Sequence, residues 1–282
     1  MLNQALHATV EGCNATKNVD NHVNCLHILI DNDAGVNNEV QMKTILMIAS
    51  AKGFLELVRE IINMDAKVNQ VDNQGMTALH YAISNKAENA DVVKLLLENK
   101  ADIHAKTNYE GITPLILAVQ KGHATITKML IEENAKLDDS EIFTGYTALH
   151  YACEKSNKEI VSLLATEQSY SRLFNMKNKQ DKTAYDIACD LATEFTEKKL
   201  LNSSNNSSAL SVEWDIVDYL QTLKDKIDDK SNRLQEQLLQ EESKKLDEKE
   251  KHKGKKEKQT KNTSAVSAVN EEGSKNKTSK NQ

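Results

Sequence analysis

The chain of 282 residues is long enough for one or two domains with a sizeable apolar core. Its hydrophobic fraction of 39% and charged fraction of 28% predict a folded part joined to a polar part that buries no core. Residues 1–223 carry 20 Lys+Arg against 30 Asp+Glu, and residues 224–282 carry 16 against 12. Because residues 1–223 are acidic overall, we do not expect them to bind nucleic acid.

Membrane and export signals of the usual kinds are not visible. No stretch approaches eighteen consecutive apolar residues, so we expect no transmembrane span. The start M-L-N-Q-A-L-H lacks a basic region followed by an apolar run, which predicts no secretory signal peptide and a cytoplasmic location. Lysine makes up 33 of the 36 basic residues and asparagine is abundant. We interpret this bias as that of an AT-rich genome, as in many intracellular bacteria.

The four cysteines, Cys13, Cys25, Cys153 and Cys189, form no C-x-x-C pair and match no zinc-ligand spacing. The last three lie in apolar helical patterns, which favours small buried side chains in a reducing compartment over disulfides or metal ligands. We therefore predict no metal site and no cofactor.

Two atypical segments precede the first clear repeat. Residues 2–13 are predicted to form a helix, and residues 23–37 a second helix with its exit loop. The asparagine-rich residues between them are predicted to form a widened turn.

One short motif then recurs five times: Thr, any residue, an apolar residue that is usually Leu, two residues, Ala. It reads T-I-L-M-I-A at Thr44, T-A-L-H-Y-A at Thr77 and Thr147, T-P-L-I-L-A at Thr113 and T-A-Y-D-I-A at Thr183. The threonines are 33, 36, 34 and 36 residues apart, and three of them follow a glycine by two positions. Self-similarity at this period indicates a stack of repeats.

A second apolar run follows each of the first four motifs. Residues 92–101 read V-V-K-L-L-L-E-N-K-A, with apolar residues at helical spacing and Lys94 and Glu98 on the opposite side. Each unit is therefore predicted to be a helix, a tight turn, a second helix and an extended loop. One such unit cannot bury its apolar face alone, so three or more must stack.

These motifs resemble the ankyrin repeat family, whose hallmark is T-P-L-H near the start of a unit of 33 residues. The resemblance covers about residues 1–223 and implies an all-α solenoid of helix-turn-helix units, about six including atypical caps, with short β-hairpin-like loops. The sequence departs from the family pattern in places. Only Pro114 keeps the proline, and Asp65, Lys100 and Asn134 stand where the family has glycine.

Beyond the repeats the chain is polar. The loop L-N-S-S-N-N-S-S at 201–208 delays the partner helix of the last unit. Ser211 suits the N-cap of a helix that ends near Leu223, with Trp214 packed on the last unit. A fading apolar stripe predicts a charged helix over 224–248, and the Lys, Ser and Asn content of 249–282 predicts a disordered tail.

The role of this tail is left open by its composition. The lysine cluster at 251–258 suits a nuclear-entry or tethering patch, and the polar, basic C-terminus resembles the export signals of some bacterial secretion substrates. Residues 211–245 could also pair with a second copy, although a coiled coil would need a longer stripe. We expect a monomer.

The resemblance implies where a partner protein would bind. In this family the loop tips and the exposed side of the first helix line a concave face. Mapped onto this chain, the polar candidates are Lys43, Asn73, Asn85, Lys121 and Lys155. Apolar residues also occupy tip positions: Met76, Tyr109, Ile112, Phe143 and Tyr146. Aromatic residues are 4% of the chain and are enriched in binding hot spots. The alternatives are tip-against-tip packing and a small-molecule pocket.

No catalytic motif accompanies the repeats. The recurring threonines, with His80 and His150, are expected to tie turns by side-chain to backbone hydrogen bonds. The leading hypothesis is a non-enzymatic scaffold that binds a protein on its concave face, exported by an intracellular bacterium to act on a host protein. The alternatives are a self-associating structural protein and the regulatory subunit of an enzyme.

Overall fold

The computed structural model describes residues 1–12, 19–32, 34–166, 168–201 and 212–275. Within these ranges the backbone is helical apart from turns, loops and isolated β-bridges. The helices are α1 (Leu2–Glu11), α2 (Val19–Asp31), α3 (Ile45–Lys52), α4 (Leu55–Asn63), α5 (Ala78–Ser84), α6 (Ala90–Glu98), α7 (Pro114–Lys121), α8 (Ala124–Glu132), α9 (Ala148–Glu154), α10 (Lys158–Leu164), α11 (Tyr170–Leu173), α12 (Ala184–Leu201) and α13 (Val212–Lys275).

The helices stack in two layers. The first helices of successive units contact one another in the order α1, α3, α5, α7, α9 and α12, and the second helices in the order α2, α4, α6, α8 and α10. Short hairpin-like loops precede three of the threonines, with bridges Val40–Lys43, Ser140–Thr147 and Lys177–Thr183. This arrangement confirms the predicted all-α repeat solenoid.

The core runs continuously between the layers. The apolar residue two positions after the threonine is buried in four units: Leu46, Leu79, Leu115 and Leu149. The alanine at the end of the motif is also buried in each unit, so the stacked first helices can approach closely: Ala49, Ala82, Ala118, Ala152 and Ala188. Each buried leucine contributes about 1.5–3 kcal/mol of transfer free energy.

Threonine caps start the first helices. The Thr77 hydroxyl accepts a hydrogen bond from the backbone N–H of His80 at 3.4 Å, and His80 Nδ1 accepts from the backbone N–H of Thr77 at 3.2 Å. Thr147 and His150 repeat this box, and in the last unit Asp186 accepts from the Thr183 N–H at 2.8 Å. Such reciprocal caps satisfy donors that a helix start leaves unpaired.

Exit loops are joined by asparagine side chains. Asn69 Nδ2 donates to the carbonyl of Lys100 at 2.9 Å, and Asn69 Oδ1 accepts from the N–H of Asp102 at 2.7 Å. Asn37 makes the same pair of bonds to Asp65 and Lys67. One amide therefore links the loops of neighbouring units on both its donor and its acceptor side.

Left-handed backbone marks two positions in the repeat. The glycines of three tips have positive φ, and Met42 at +64° and Asp181 at +63° take the same conformation where the glycine is missing. Asp65, Lys100 and Asn134, the other departures from the family pattern, lie at φ of +62°, +62° and +64°. The turns thus keep the family geometry with residues that adopt it at a steric cost.

The first turns of α13 pack against the end of the repeat region. Ile216, Val217 and Leu220 of α13 are buried, and the Tyr219 hydroxyl donates to the carbonyl of Ala165 at 3.0 Å. Trp214 stays 36% exposed.

Cys153 is buried, whereas Cys25 is exposed, so the expectation of a buried side chain was wrong for Cys25. Cys13 and Ser211 lie outside the described residues.

The chain divides into two compact units, Met1–Lys224 and Asp225–Gln282. In the second unit the described backbone is helix to Lys275, beyond residue 248 where the charged helix was predicted to end. Lys, Glu and Gln are good helix formers, which favours this backbone without any core. The disorder of residues 249–282 stays a prediction. No helix in the described part of the chain is long and apolar enough to cross a membrane.

Substituting Lys100 by glycine is expected to raise the free energy of unfolding by about 0.5–1 kcal/mol. Glycine removes a left-handed penalty of roughly 1–2 kcal/mol and loses part of it to chain entropy. Urea denaturation measures the change. The matched control, Lys94→Gly on the exposed side of α6, should lower stability by about 1 kcal/mol. A Lys100→Gly chain less stable than the parent would contradict a left-handed backbone at Lys100.

Candidate functional site

Buried side chains organise the tips that precede each first helix. Asp72 is buried, and its Oδ1 accepts from the backbone N–H groups of Gln74 and Met76, both at 2.8 Å. Its Oδ2 accepts from the Tyr81 hydroxyl at 2.7 Å. The tip of residues 72–76 is therefore held by one carboxylate that also reaches the first helix.

Glu141 does the same for a later tip. Its Oε1 accepts from the N–H of Phe143 at 2.7 Å, and its Oε2 from the N–H of Thr144 at 2.8 Å. Burial would raise the pKa of Glu141, but these donors, the Thr144 hydroxyl and the charge of Lys179 together hold it below its usual value. The carboxylate is thus a fixed anionic brace for the loop.

Neighbouring tips are bonded to one another through their backbones. The N–H of Asn108 donates to the carbonyl of Gln74, that of Ile142 to Glu110, and that of Lys179 to Thr144, each at 2.8 Å. A Cβ added at Gly75 would lie 2.8 Å from the Asn108 nitrogen, so only glycine allows this close approach. The tips form one continuous ribbon along the stack.

A first cavity of about 270 Å³ opens between two of these tips. Met76, Tyr109 and Ile112 line it, together with Gln74, Thr107, Glu110 and Leu117. Ile112 is buried at its base, whereas the Tyr109 side chain is 70% exposed. We call this site the Tyr109 cavity. An exposed aromatic ring beside an apolar floor can receive an apolar side chain from a partner.

A second cavity of about 210 Å³ lies at the tip of residues 141–146. Its walls are Phe143, Thr144, Tyr146, Tyr151, Glu154, Lys179 and Gln180. The Tyr146 ring contacts Tyr151 edge-on, with centroids 5.0 Å apart and planes at 62°, and lies 5.5 Å from the His150 ring. Phe143 is 64% exposed. We call this site the Tyr146 cavity.

The structure therefore divides the predicted apolar group between two cavities. Met76, Tyr109 and Ile112 fall in one, and Phe143 and Tyr146 in the other. Both also use the residue four positions after the threonine, Leu117 or Tyr151, which the sequence reasoning missed. The signal was available, because this position lies one turn into each first helix, on the side of the tip.

The predicted polar candidates have mixed surroundings. Lys43 is exposed, with its Nζ 5.0 Å from the centre of the Tyr81 ring, and Asn73 accepts from Asn108 Nδ2 at 3.1 Å. Asn85 donates from Nδ2 to the Ala51 carbonyl at 2.8 Å, and its own carbonyl pairs with His123 Nε2 at 3.0 Å, which gives it a role in stacking. Lys121 and Lys155 are exposed at the ends of α7 and α9.

His80 and His150 form hydrogen bonds that join neighbouring units of the stack. His80 Nδ1 accepts from Thr77, so its Nε2 carries the proton and donates to the carbonyl of Ile112 in the next unit at 3.2 Å. His150 bonds the Lys182 carbonyl in the same way at 3.2 Å. Burial lowers the pKa of both imidazoles, which keeps them neutral. Both ring nitrogens are thereby engaged in structural bonds.

Two other side chains with reactive groups, Cys153 and Asp190, lie in surroundings that do not favour chemistry. Burial raises the pKa of the Cys153 thiol to about 12, the opposite of what a nucleophile needs. Asp190 Oδ2 accepts from Lys182 Nζ at 2.5 Å. Among the described residues, no three His, Cys, Asp or Glu side chains are grouped to hold a metal ion.

Comparison with known proteins concerns the repeat region. A family model described as ankyrin repeats matches the chain in three overlapping stretches, residues 13–107, 86–175 and 115–210. Alpha-latrocrustotoxin-Lt1a of Latrodectus tredecimguttatus is 35% identical over 105 residues, which are 37% of this chain and 7% of that protein. The putative ankyrin repeat protein FPV233 of fowlpox virus is 41% identical over 59 residues, 21% of this chain and 11% of that protein.

A plant protein shows the same kind of partial similarity. The potassium channel AKT1 of Arabidopsis thaliana is 40% identical over 75 residues, 27% of this chain and 8% of the channel. The chain thus spans only 7%, 11% and 8% of these three relatives. The similarity concerns a small part of each relative.

Acidification is expected to destabilise the fold through the buried histidines. Their folded pKa lies below the ordinary value of 6.5, so the unfolded chain takes up protons first. The contribution of the two neutral histidines to the free energy of unfolding is complete above pH 6.5 and is lost as the pH falls toward their folded pKa. Urea unfolding at pH 7.5 and pH 5.5 should differ by about 1–2 kcal/mol for both residues together.

The double variant His80→Asn with His150→Asn tests this origin. Asparagine can still accept from the threonine N–H and does not titrate. The variant should be less stable at pH 7.5 and should lose less stability on acidification. An unchanged pH dependence in the variant would assign the effect to other groups.

Proposed function

Because this chain belongs to the ankyrin repeat family, whose repeats are protein–protein interaction modules, we propose that it is a non-enzymatic scaffold that binds a partner protein. The binding surface is the tip face, which comprises the tips and exposed first-helix sides within residues 39–53, 72–86, 106–122, 139–155 and 177–190. This is the face that the family resemblance predicts to be concave. The observation that carries the proposal is the pair of cavities with exposed aromatic rims.

The aromatic rims support binding because they are costly to leave in water. Tyr109 is 70% exposed and Phe143 is 64% exposed, in a chain with only 4% aromatic residues. Large aromatic side chains provide contact area with few rotatable bonds, which is why they dominate binding hot spots. Hydrogen bonds between neighbouring tips hold the cavities in place before a partner arrives.

The charge distribution supports the same surface. The ranges that make up the tip face contain nine lysines and nine acidic residues. The whole excess of acidic residues in 1–223 therefore lies elsewhere in the repeat region. A surface without net charge does not repel an acidic partner or an acidic second copy by its overall field.

The finer part of the proposal concerns the partner and its location. The lysine and asparagine bias and the polar, basic C-terminus support export of the chain by an intracellular bacterium and binding of a host protein. Affinity capture with the full chain from host and bacterial lysates distinguishes the two sources of partner.

The double variant Tyr109→Ala with Tyr146→Ala is expected to abolish partner capture and to leave helicity intact, because it removes one ring from each cavity. Capture is measured by pull-down with the full chain and quantitative mass spectrometry, and helicity by circular dichroism. The matched control is Ile28→Ala, since Ile28 is 60% exposed on α2, outside the tip face. Equal capture by the double variant and the parent would refute the proposed surface.

A second candidate is self-association through the second unit. In its described part Leu234, Leu238 and Leu239 are 58%, 54% and 61% exposed, and a lone helix gains stability from a partner for such a face. Multi-angle light scattering of the full chain at high concentration decides this candidate. A monomer mass would eliminate it.

A further inference from the structure

The Tyr146 cavity combines aromatic rings with one carboxylate. Phe143, Tyr146 and Tyr151 are three of its seven lining residues, and the whole chain has only twelve aromatic residues, seven Tyr, four Phe and one Trp. Glu154, the last residue of α9, completes the wall. Aromatic faces carry negative potential that attracts a cation, and a carboxylate beside them strengthens the attraction.

The rings are fixed before any ligand binds. Tyr146 and Tyr151 contact edge to face at 5.0 Å, an arrangement that aromatic pairs prefer. The Tyr146 ring also lies 5.5 Å from the His150 ring. The cavity therefore needs little reorganisation to receive a side chain.

Glu154 supplies a negative charge that no described residue neutralises in an ion pair. Glu154 lines the same cavity as Tyr146 and Tyr151. Burial raises the pKa of both hydroxyls, and the charge of Glu154 adds to the rise. Its side chain is exposed at the mouth of the cavity. A cation bound over the rings would meet this carboxylate.

Three lysines lie near the cavity in the structure or along the chain. Lys179 lines the cavity, but its charge acts on the buried Glu141 carboxylate. Lys182, whose charge reaches Tyr146, pairs with Asp190 at 2.5 Å. Lys155 is exposed next to Glu154 along the chain. Lys182 is therefore held in an ion pair. Among the described residues, Lys179 is the one cationic residue in the cavity lining, so the rings and Glu154 attract a bound cation against its repulsion.

We propose that the Tyr146 cavity binds a cationic side chain, a lysine or an arginine, carried by the partner protein. The inference rests on the proposed function, since it names the chemistry of the partner segment. The cavity volume of about 210 Å³ is below the range of about 300–1,000 Å³ typical of small-molecule sites and suits one side chain. The lining of the Tyr109 cavity has one aromatic ring beside Met76, Ile112 and Leu117, so it accepts an apolar neighbour in the same segment.

The test is an NMR titration of the full chain, labelled with carbon-13 in its aromatic residues. The probes are N-acetyl-lysine methylamide, N-acetyl-arginine methylamide and the neutral N-acetyl-norleucine methylamide. The cationic probes should shift the resonances of Tyr146, Tyr151 and Phe143. Norleucine, which has the four-carbon chain of lysine without the ammonium group, should not. Binding of either cation supports the proposal, and the ratio of their affinities identifies the preferred residue.

Variants separate the charge from the rings. Glu154→Gln should weaken cation binding about threefold to tenfold, whereas Glu110→Gln at the Tyr109 cavity should leave it unchanged. Tyr151→Leu should abolish it and still fold, because Leu117 occupies the same position of the preceding unit. Equal shifts from norleucine, or none from either cation at 20-fold excess over about 1 mM protein, would overturn the proposal.

Partner capture is a separate measurement. If the parent chain captures a protein in a manner that depends on Tyr109 and Tyr146, and no cation binds, the scaffold function stands and only this inference fails. If cations bind as expected but capture does not depend on the two tyrosines, the proposed surface fails and the cation site remains.

Discussion

Each helix pair of the repeat region has apolar side chains toward the pair before it and the pair after it, so the pairs leave water only by stacking. The buried alanines at the end of each motif, such as Ala82 and Ala118, let the first helices approach closely. The leucines two residues after each threonine fill the space between the layers. Because no pair is stable alone, the geometry of every tip is set by its neighbours.

The stack reaches the candidate site through specific hydrogen bonds. His80 of one unit donates to the carbonyl of Ile112 in the next, and Ile112 is the buried floor of the Tyr109 cavity. The N–H of Ile112 is held in turn by the Thr107 hydroxyl at 3.0 Å. A residue of the proposed binding surface is therefore positioned by a hydrogen bond from the cap of the preceding unit.

Local patterns in the sequence were enough for the fold and insufficient for the site. The threonine spacing and the helical runs predicted the helix pairs, because each signal is read within a few residues and is confirmed by its repetition. The division of the apolar tip residues between two cavities depends on which tip abuts which helix, and no local pattern carries that information. Asn85 shows the same limit: its position in the repeat suggested a contact residue, but its amide bonds the preceding unit and its carbonyl the following one.

The two neighbouring cavities have different linings on the same repeat geometry. The position four residues after the threonine is Leu117 in one and Tyr151 in the other, so an apolar lining residue is replaced by an aromatic one at the same position of the repeat. The acidic residue in the lining also differs: it is Glu110 on the tip in the Tyr109 cavity and Glu154 at the end of α9 in the Tyr146 cavity. Under the proposed mode of binding, a partner segment in the wrong register would place its charge over the apolar cavity, so the order of these residues along the tips would set selectivity.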